Sequence, residues 1–208
     1  VFANSLKYIK MTLASNFGNF YAMAVATLLV PFLPMLPIQI LLVNLLSDFP
    51  LIAVATDSVH PREVRRPESY KVRDFVLVAT VFGILSSAFD FLFFALFFQS
   101  APAVLQTNWF IGSILTELAL LYSLRTHLPF FRAQAPSRPI VVLTVLAAMV
   151  AISLPYTLFG QTYFHFQPPT TAHLALILGV VGAYFLANEG VKRVMWQKIA
   201  EQRGAVVK

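Results

Sequence analysis

No cysteine occurs anywhere in the sequence, which excludes both a disulfide framework and a thiolate metal centre. Charge is scarce as well. Asp, Glu, Lys and Arg make up 12% of the 208 residues, about half of the roughly 25% carried by a soluble domain. The sequence contains no phosphate-cradling Gly-rich loop, no HExxH metal motif and no nucleophile elbow, so none of those chemistries belongs to it. Internal repeats, inverted repeats of the secondary-transporter kind and low-complexity segments are also missing. The chain opens Val1-Phe2-Ala3-Asn4, without an initiator Met or a signal-peptide pattern, and reads as a piece of a longer product.

What fills the sequence instead is apolar. Hydrophobic residues make up 58%, 20 of them Phe, and the mean hydropathy is +0.74. A bilayer core takes about 20 mostly apolar residues per helix. Six stretches meet that length: roughly 12–33, 36–56, 74–98, 107–124, 139–160 and 171–191. Three connections hold no charged residue: a tight turn from Pro31 to Pro37, a short link from Gln99 to Gln106, and a Pro-containing loop from Gln161 to Thr170. The basic residues all lie elsewhere. Lys7 and Lys10 precede the first span, and Arg62, Arg65, Arg66, Lys71 and Arg73 separate the second from the third. Arg125, Arg132 and Arg138 separate the fourth from the fifth, and Lys192, Arg193, Lys198, Arg203 and Lys208 follow the sixth. With six spans every Lys and Arg falls on one face, which the positive-inside rule makes cytoplasmic. The fold expected is an all-α bundle of six transmembrane helices with both termini in the cytoplasm. The net charge of +6 then orients the chain in the membrane, and nucleic acid is not among its expected partners. The basic loop between the second and third spans suits anionic lipid as well.

Ionisable and amide side chains inside spans are costly, which makes each one a functional hypothesis. Asn16 and Asn19 are three residues apart and share a helix face, as do Asn44 and Asp48, four apart, with Ser47 beside them. At 1.5 Å per residue, Asn19 lies about 14 Å beyond Lys10 and Asp48 about 18 Å from Leu36, both near mid-membrane. Pro50 has no N–H and leaves the Leu46 carbonyl without its helical donor. A free carbonyl beside a carboxylate suits a hard cation, which takes oxygen ligands. Asn16, Asn19 and Asn44 could alternatively do no more than bond one helix to another. Glu117, about 15 Å into the fourth span, is either a second carboxylate of this site, a protonatable partner in counter-transport, or a protonated acid bonded to a neighbouring helix. Asp90 is read as a packing or loop-capping residue, and Glu189 as a surface charge. His165 and His173 are read as solvated, and Trp109, Tyr156, Tyr163 and Trp196 as an interfacial aromatic belt.

The run from Asn4 through Lys7-Tyr8-Ile9-Lys10 to Asn16-Phe17-Gly18-Asn19 resembles the start of the fifth membrane helix of P-type ATPases. Pro31-Phe32-Leu33-Pro34-Met35-Leu36-Pro37, then Gln39 to Asp48, resembles the next hairpin and the sixth helix. Ser86-Ser87-Ala88-Phe89-Asp90, Trp109-Phe110-Ile111, Leu124-Arg125-Thr126 and Pro129-Phe130 are similar to the magnesium-importing branch. The resemblance implies that residues 1–208 form the C-terminal transmembrane domain of an ATP-driven pump, its fifth to tenth helices. It implies a cation site of Asn16, Asn19, Asn44, Ser47 and Asp48, with Asp48 the principal carboxylate and Asp48 and Asn44 the metal ligands. Mg2+ is the implied cargo and also accompanies ATP in the missing domains. The implied partners are N-terminal cytoplasmic ATPase domains, four preceding helices, membrane lipids and the transported cation. The implied place is the bacterial inner membrane. The amide of Asn19, where calcium pumps carry an acid, argues against calcium. The chain also departs from the magnesium pattern, with Gly112 where relatives carry Glu, and Glu117 where they often carry Gln. A proton or other cation pump of the same family, a stand-alone secondary transporter, and a non-transporting fragment remain as competing readings.

Overall fold

A computed structural model describes residues 2–57, 72–126 and 128–206. Seven α-helices form among them, with no strand: α1 (Phe2–Leu29), α2 (Pro37–Ala53), α3 (Val72–Phe97), α4 (Pro102–Leu124), α5 (Arg138–Ser153), α6 (Leu158–Phe164) and α7 (Thr171–Val206). Proline sets several starts. Pro37, Pro102 and the Arg138-Pro139 pair open α2, α4 and α5, where a missing N–H leaves no helical bond unmade. Large apolar side chains such as Phe20, Leu28 and Leu158 stand exposed on the outside, as helices facing lipid require.

Five stretches are long and apolar enough to cross a membrane: Pro37–Thr56, Val76–Phe97, Pro102–Leu124, Arg138–Tyr156 and Thr171–Gln197. They agree with five of the six expected spans. The expected first span, 12–33, is not among the five. Its helix, α1, is 28 residues long, but Thr12, Ser15, Asn16 and Asn19 dilute its apolar character. The fifth span ends earlier than expected. At Pro155 the helix passes into a short 3-10 turn, Leu154–Tyr156, and α6 then occupies part of the expected external loop. At the other end α7 continues beyond residue 191 to Val206. Arg62, Arg65, Arg66, Lys71 and Lys208 lie outside the described residues.

Contact between helices follows side-chain size. Ala14, Gly18, Ala22 and Ala26 recur every four residues along α1 and are all buried, the small-residue stripe that lets membrane helices approach closely. Against it lies α3, the helix α1 packs on most extensively. A Cβ on Gly18 would sit 2.5 Å from the Ser86 Cβ, so no larger residue fits without movement. Ser87 seals the crossing by donating its hydroxyl to the Gly18 carbonyl at 3.1 Å.

The centre of the molecule is α4, which touches α1, α2, α3, α5 and α7. Its most apolar stretch is 83% buried, against 22–44% for the other four spans. Trp109, Phe110, Ile111 and Ile114 join Phe93, Phe97 and Leu105 in the main core. Gly112 is explained here too. A Cβ at this position would lie 2.7–2.9 Å from the Phe93 ring, so a larger residue here requires that ring to move.

Candidate functional site

Three helices bring the expected site residues together. Asn16 and Asn19 come from α1, Asn44, Ser47 and Asp48 from α2, and Glu117 from α4. An inner cavity of about 220 Å³ is lined by Tyr8, Thr12, Ser15, Asn16, Asn44, Ser47, Asp48, Leu51 and Glu117. Five of the six expected residues therefore share one space. The sixth, Asn19, donates its Nδ2–H to Glu117 Oε1 and so joins α1 to α4 at the cavity wall. Ser15, Ser47 and Asp48 line the same cavity as that carboxyl group.

Burial within the site is uneven. Ser47 and Glu117 are buried, whereas Asn16, Asn44 and Asp48 are exposed along the open side of the cavity. The Ser47 hydroxyl donates to the Val43 carbonyl at 3.0 Å, which fixes the side chain against its own helix and leaves its lone pairs for other partners. Pro50 is buried inside α2, which runs on to Ala53 without ending at the proline. Two carboxylates, amide oxygens and a hydroxyl make an oxygen-only set, the donor type that hard divalent cations take. Among the described residues no three His, Cys, Asp or Glu side chains cluster in a metal-like group. Any cation here would depend on amide, hydroxyl and water oxygens beside the two acids.

Asp90 takes the packing side of its expected packing or loop-capping role. It is buried seven residues before the end of α3 and accepts a 3.0 Å hydrogen bond from Trp109 Nε1 on α4. Trp109 is correspondingly buried in the core and takes no part in an interfacial belt. His173 is partly buried, within 3.2 Å of Asn108 and edge-on to Phe97. Glu189 is not a plain surface charge either. It accepts from Ser123 Oγ at 2.7 Å and from the Phe130 backbone N–H at 2.9 Å, and it pairs with the buried Lys192.

One group was missed in the sequence altogether. Asp57, directly after the second span, receives a two-pronged bond from Arg125 at the end of the fourth, with Nε to Oδ2 at 3.1 Å and Nη2 to Oδ1 at 3.0 Å. Both partners are buried. Lys7 stands 3.9 Å from the same carboxylate, and Asn4 donates to the carbonyls of Ala55 and Asp57 at 3.0 and 2.8 Å. The start of α1, the end of α2 and the end of α4 are thus tied by one cluster. The available signal was the position of an acid and an arginine at the same predicted membrane face.

Comparison with known proteins gives the family. Residues 32–194 match the family described as cation transporting ATPase, C-terminus. The chain is 34% identical, over 94% of its length, to a magnesium-transporting ATPase, P-type 1, of Escherichia coli strain K12. It is 33% identical over the same share to the protein of that name in Salmonella typhimurium strain LT2, and 28% identical over 93% to a calcium-transporting ATPase of Bacillus subtilis strain 168. It spans about 23% of the length of each of these relatives. With five helices suited to crossing a bilayer and this kinship, the chain is a multi-pass membrane protein, and it belongs to the cation-transporting P-type ATPases as part of their C-terminal membrane region.

Proposed function

We propose that this chain is the ion-site half of an ATP-driven magnesium pump, with Asp48, Asn44, Asn16, Asn19, Ser47 and Glu117 forming its intramembrane cation site. The observation that carries the reading is the inner cavity, where α1, α2 and α4 aim two carboxylates and two amides into about 220 Å³. Asp48 and Asn44 are the metal ligands, and Glu117, steadied by Asn19, supplies the second carboxyl group. Mg2+ keeps several waters and needs only one or two carboxylates, which fits a site with few charges. The names of the magnesium-transporting relatives support the same ion.

In this reading α1 also crosses the membrane and completes a set of six spans, its polar face turned to the site and away from lipid, and both termini are cytoplasmic. The exposed sides of Asn16, Asn44 and Asp48 face the place of the four preceding helices. Cytoplasmic domains upstream of Val1 supply ATP hydrolysis, and the assembly resides in the bacterial inner membrane. Phosphorylation there moves α1, reshapes the site around Asp48 and exposes it to each face in turn. The fragment's own residues bind and release the ion; they carry out no hydrolysis.

The test uses the full-length pump reconstituted in vesicles, with magnesium flux as the readout, because ATP hydrolysis itself consumes Mg-ATP. Asp48→Asn is expected to abolish flux while leaving expression and elution from a sizing column unchanged. Undiminished flux would remove Asp48 from the site. Flux driven by calcium or by protons in place of magnesium would transfer the site to that ion.

A further inference from the structure

A second cavity adjoins the first. It has about 230 Å³ and is lined by Asn16, Asn19, Asn44, Asp90, Trp109 and Ser113, with apolar side chains including Met23 and Met35. Asn16 and Asn44 line both cavities. Asn19 lines the second and bonds Glu117, which lines the first. The asparagines therefore form a shared wall between an inner chamber holding Asp48 and Glu117 and another chamber whose one carboxylate is Asp90.

Position along the helices makes the Asp90 chamber the outer one. Asp90 is seven residues from the end of α3 at Phe97, about 11 Å, whereas Asp48 is eleven residues from the start of α2 at Pro37, about 17 Å. Met35, in the turn between α1 and α2, lines only the Asp90 chamber. Size is informative as well. With about 30 Å³ per liquid water, 230 Å³ corresponds to about eight waters, enough for a divalent cation that still carries most of its hydration shell. A carboxylate that is 4% exposed, held on one oxygen by an indole N–H and set in the wall of such a chamber, is costly unless it has a use.

We propose that Asp90 is the anchoring carboxylate of an outer subsite, where a hydrated divalent cation docks between the inner site and the external face. Asn16, Asn19 and Asn44 exchange waters of its shell for amide oxygens as the ion passes between the chambers. Trp109 positions the carboxylate, and it is a positioning residue only. The proposal rests on the reading of the inner cavity as the cation site.

Asp90→Asn separates this role from simple packing. The amide oxygen still accepts the Trp109 bond, so a structural role survives the change, and only the charge is lost. In the full-length pump in vesicles, with magnesium varied on one face at a time, the half-saturating concentration on the outer face should rise about tenfold, as expected when ligand charge is removed. The value on the inner face should stay within about twofold. Asp90→Glu, which restores the charge, should recover most of the outer-face value. Trp109→Phe, which removes the bond but keeps the charge, should shift it less than Asp90→Asn does. Unchanged outer-face saturation in Asp90→Asn, with Asp48→Asn inactive, would overturn the outer subsite alone. An active Asp48→Asn would instead overturn the inner site on which it rests. Should Asp90→Asn fail to reach the membrane, a Trp109→Phe value shifted tenfold or more, with the charge of Asp90 retained, would assign Asp90 to packing and overturn the proposal.

Discussion

Asp57 and Arg125 stabilise each other in a place where either would be a liability alone. Both are buried, and their two bonds use both carboxylate oxygens and two of the arginine's nitrogens. Removing one partner of a buried pair costs about 3–5 kcal/mol, and Lys7, 3.9 Å from Asp57, offsets part of that loss when Arg125 is the partner removed. Arg125→Ala should therefore lower the melting temperature of the detergent-purified pump clearly. The double variant Asp57→Asn with Arg125→Met should lose less than Arg125→Ala, since no bare charge remains. Thermal unfolding followed by tryptophan fluorescence checks both, and equal losses would count against the pairing. This cluster also marks the limit of sequence reading at the scale of single residues. Asp48, Asn44 and Asn16 were legible because they interrupt apolar runs at helical spacing. Asp57 stands at a span end, where an acid ordinarily meets water, and a shared membrane face does not by itself bring Arg125 into contact with it. Asp90 and Trp109 were legible as residues but not as a pair, because nineteen positions separate them and each has a commoner role in isolation.

At the scale of helices, the crossing of α1 and α3 depends on atoms that are absent. Ala14, Gly18, Ala22 and Ala26 keep one side of α1 nearly flat, and Gly18 meets Ser86 with no space for a methyl group. Gly18→Ala should thus destabilise by about 1–3 kcal/mol, the usual range for overpacking. Adding Ser86→Gly should recover part of that loss and no more, since the Ser86 hydroxyl also pairs with Tyr184 at 2.6 Å. The melting temperatures of the three variants, measured side by side, check this order. Most helices were legible from apolar length, and the exceptions have physical causes. The first span fell below the apolarity of the others because the residues that make it a candidate site-bearing helix are polar. The fifth span broke at Pro155, where the chain turns through Leu154–Tyr156 into α6, although its residues beyond the proline are apolar enough to have extended it.

The whole molecule offers a direct test of topology. With no cysteine among these 208 residues, each cysteine introduced here is the one reactive thiol of this region, once any cysteines in the rest of the pump have been replaced. In intact cells producing the full-length pump, Gln99→Cys and Gln161→Cys should react with an impermeant maleimide added outside. Arg132→Cys and Arg193→Cys should react only after the membrane is opened. Labelling of Arg193→Cys from outside would mean an odd number of spans and would end the assignment of α1 as one of six. The arrangement of α4 has a consequence of a different kind, for how the protein is made. The centre of the bundle carries Gln106, Asn108, Glu117 and Ser123, all buried against other helices, and α4 is the least apolar of the five spans. During synthesis it leaves the ribosome before α5 and α7, two of the helices that enclose it, have been made. A segment bearing those groups gains less from lipid than the other four spans do, so contact with the α1–α3 surface, and then with the later helices, favours its insertion. The buried polar residues of α4 thereby set the order in which the membrane accepts the chain.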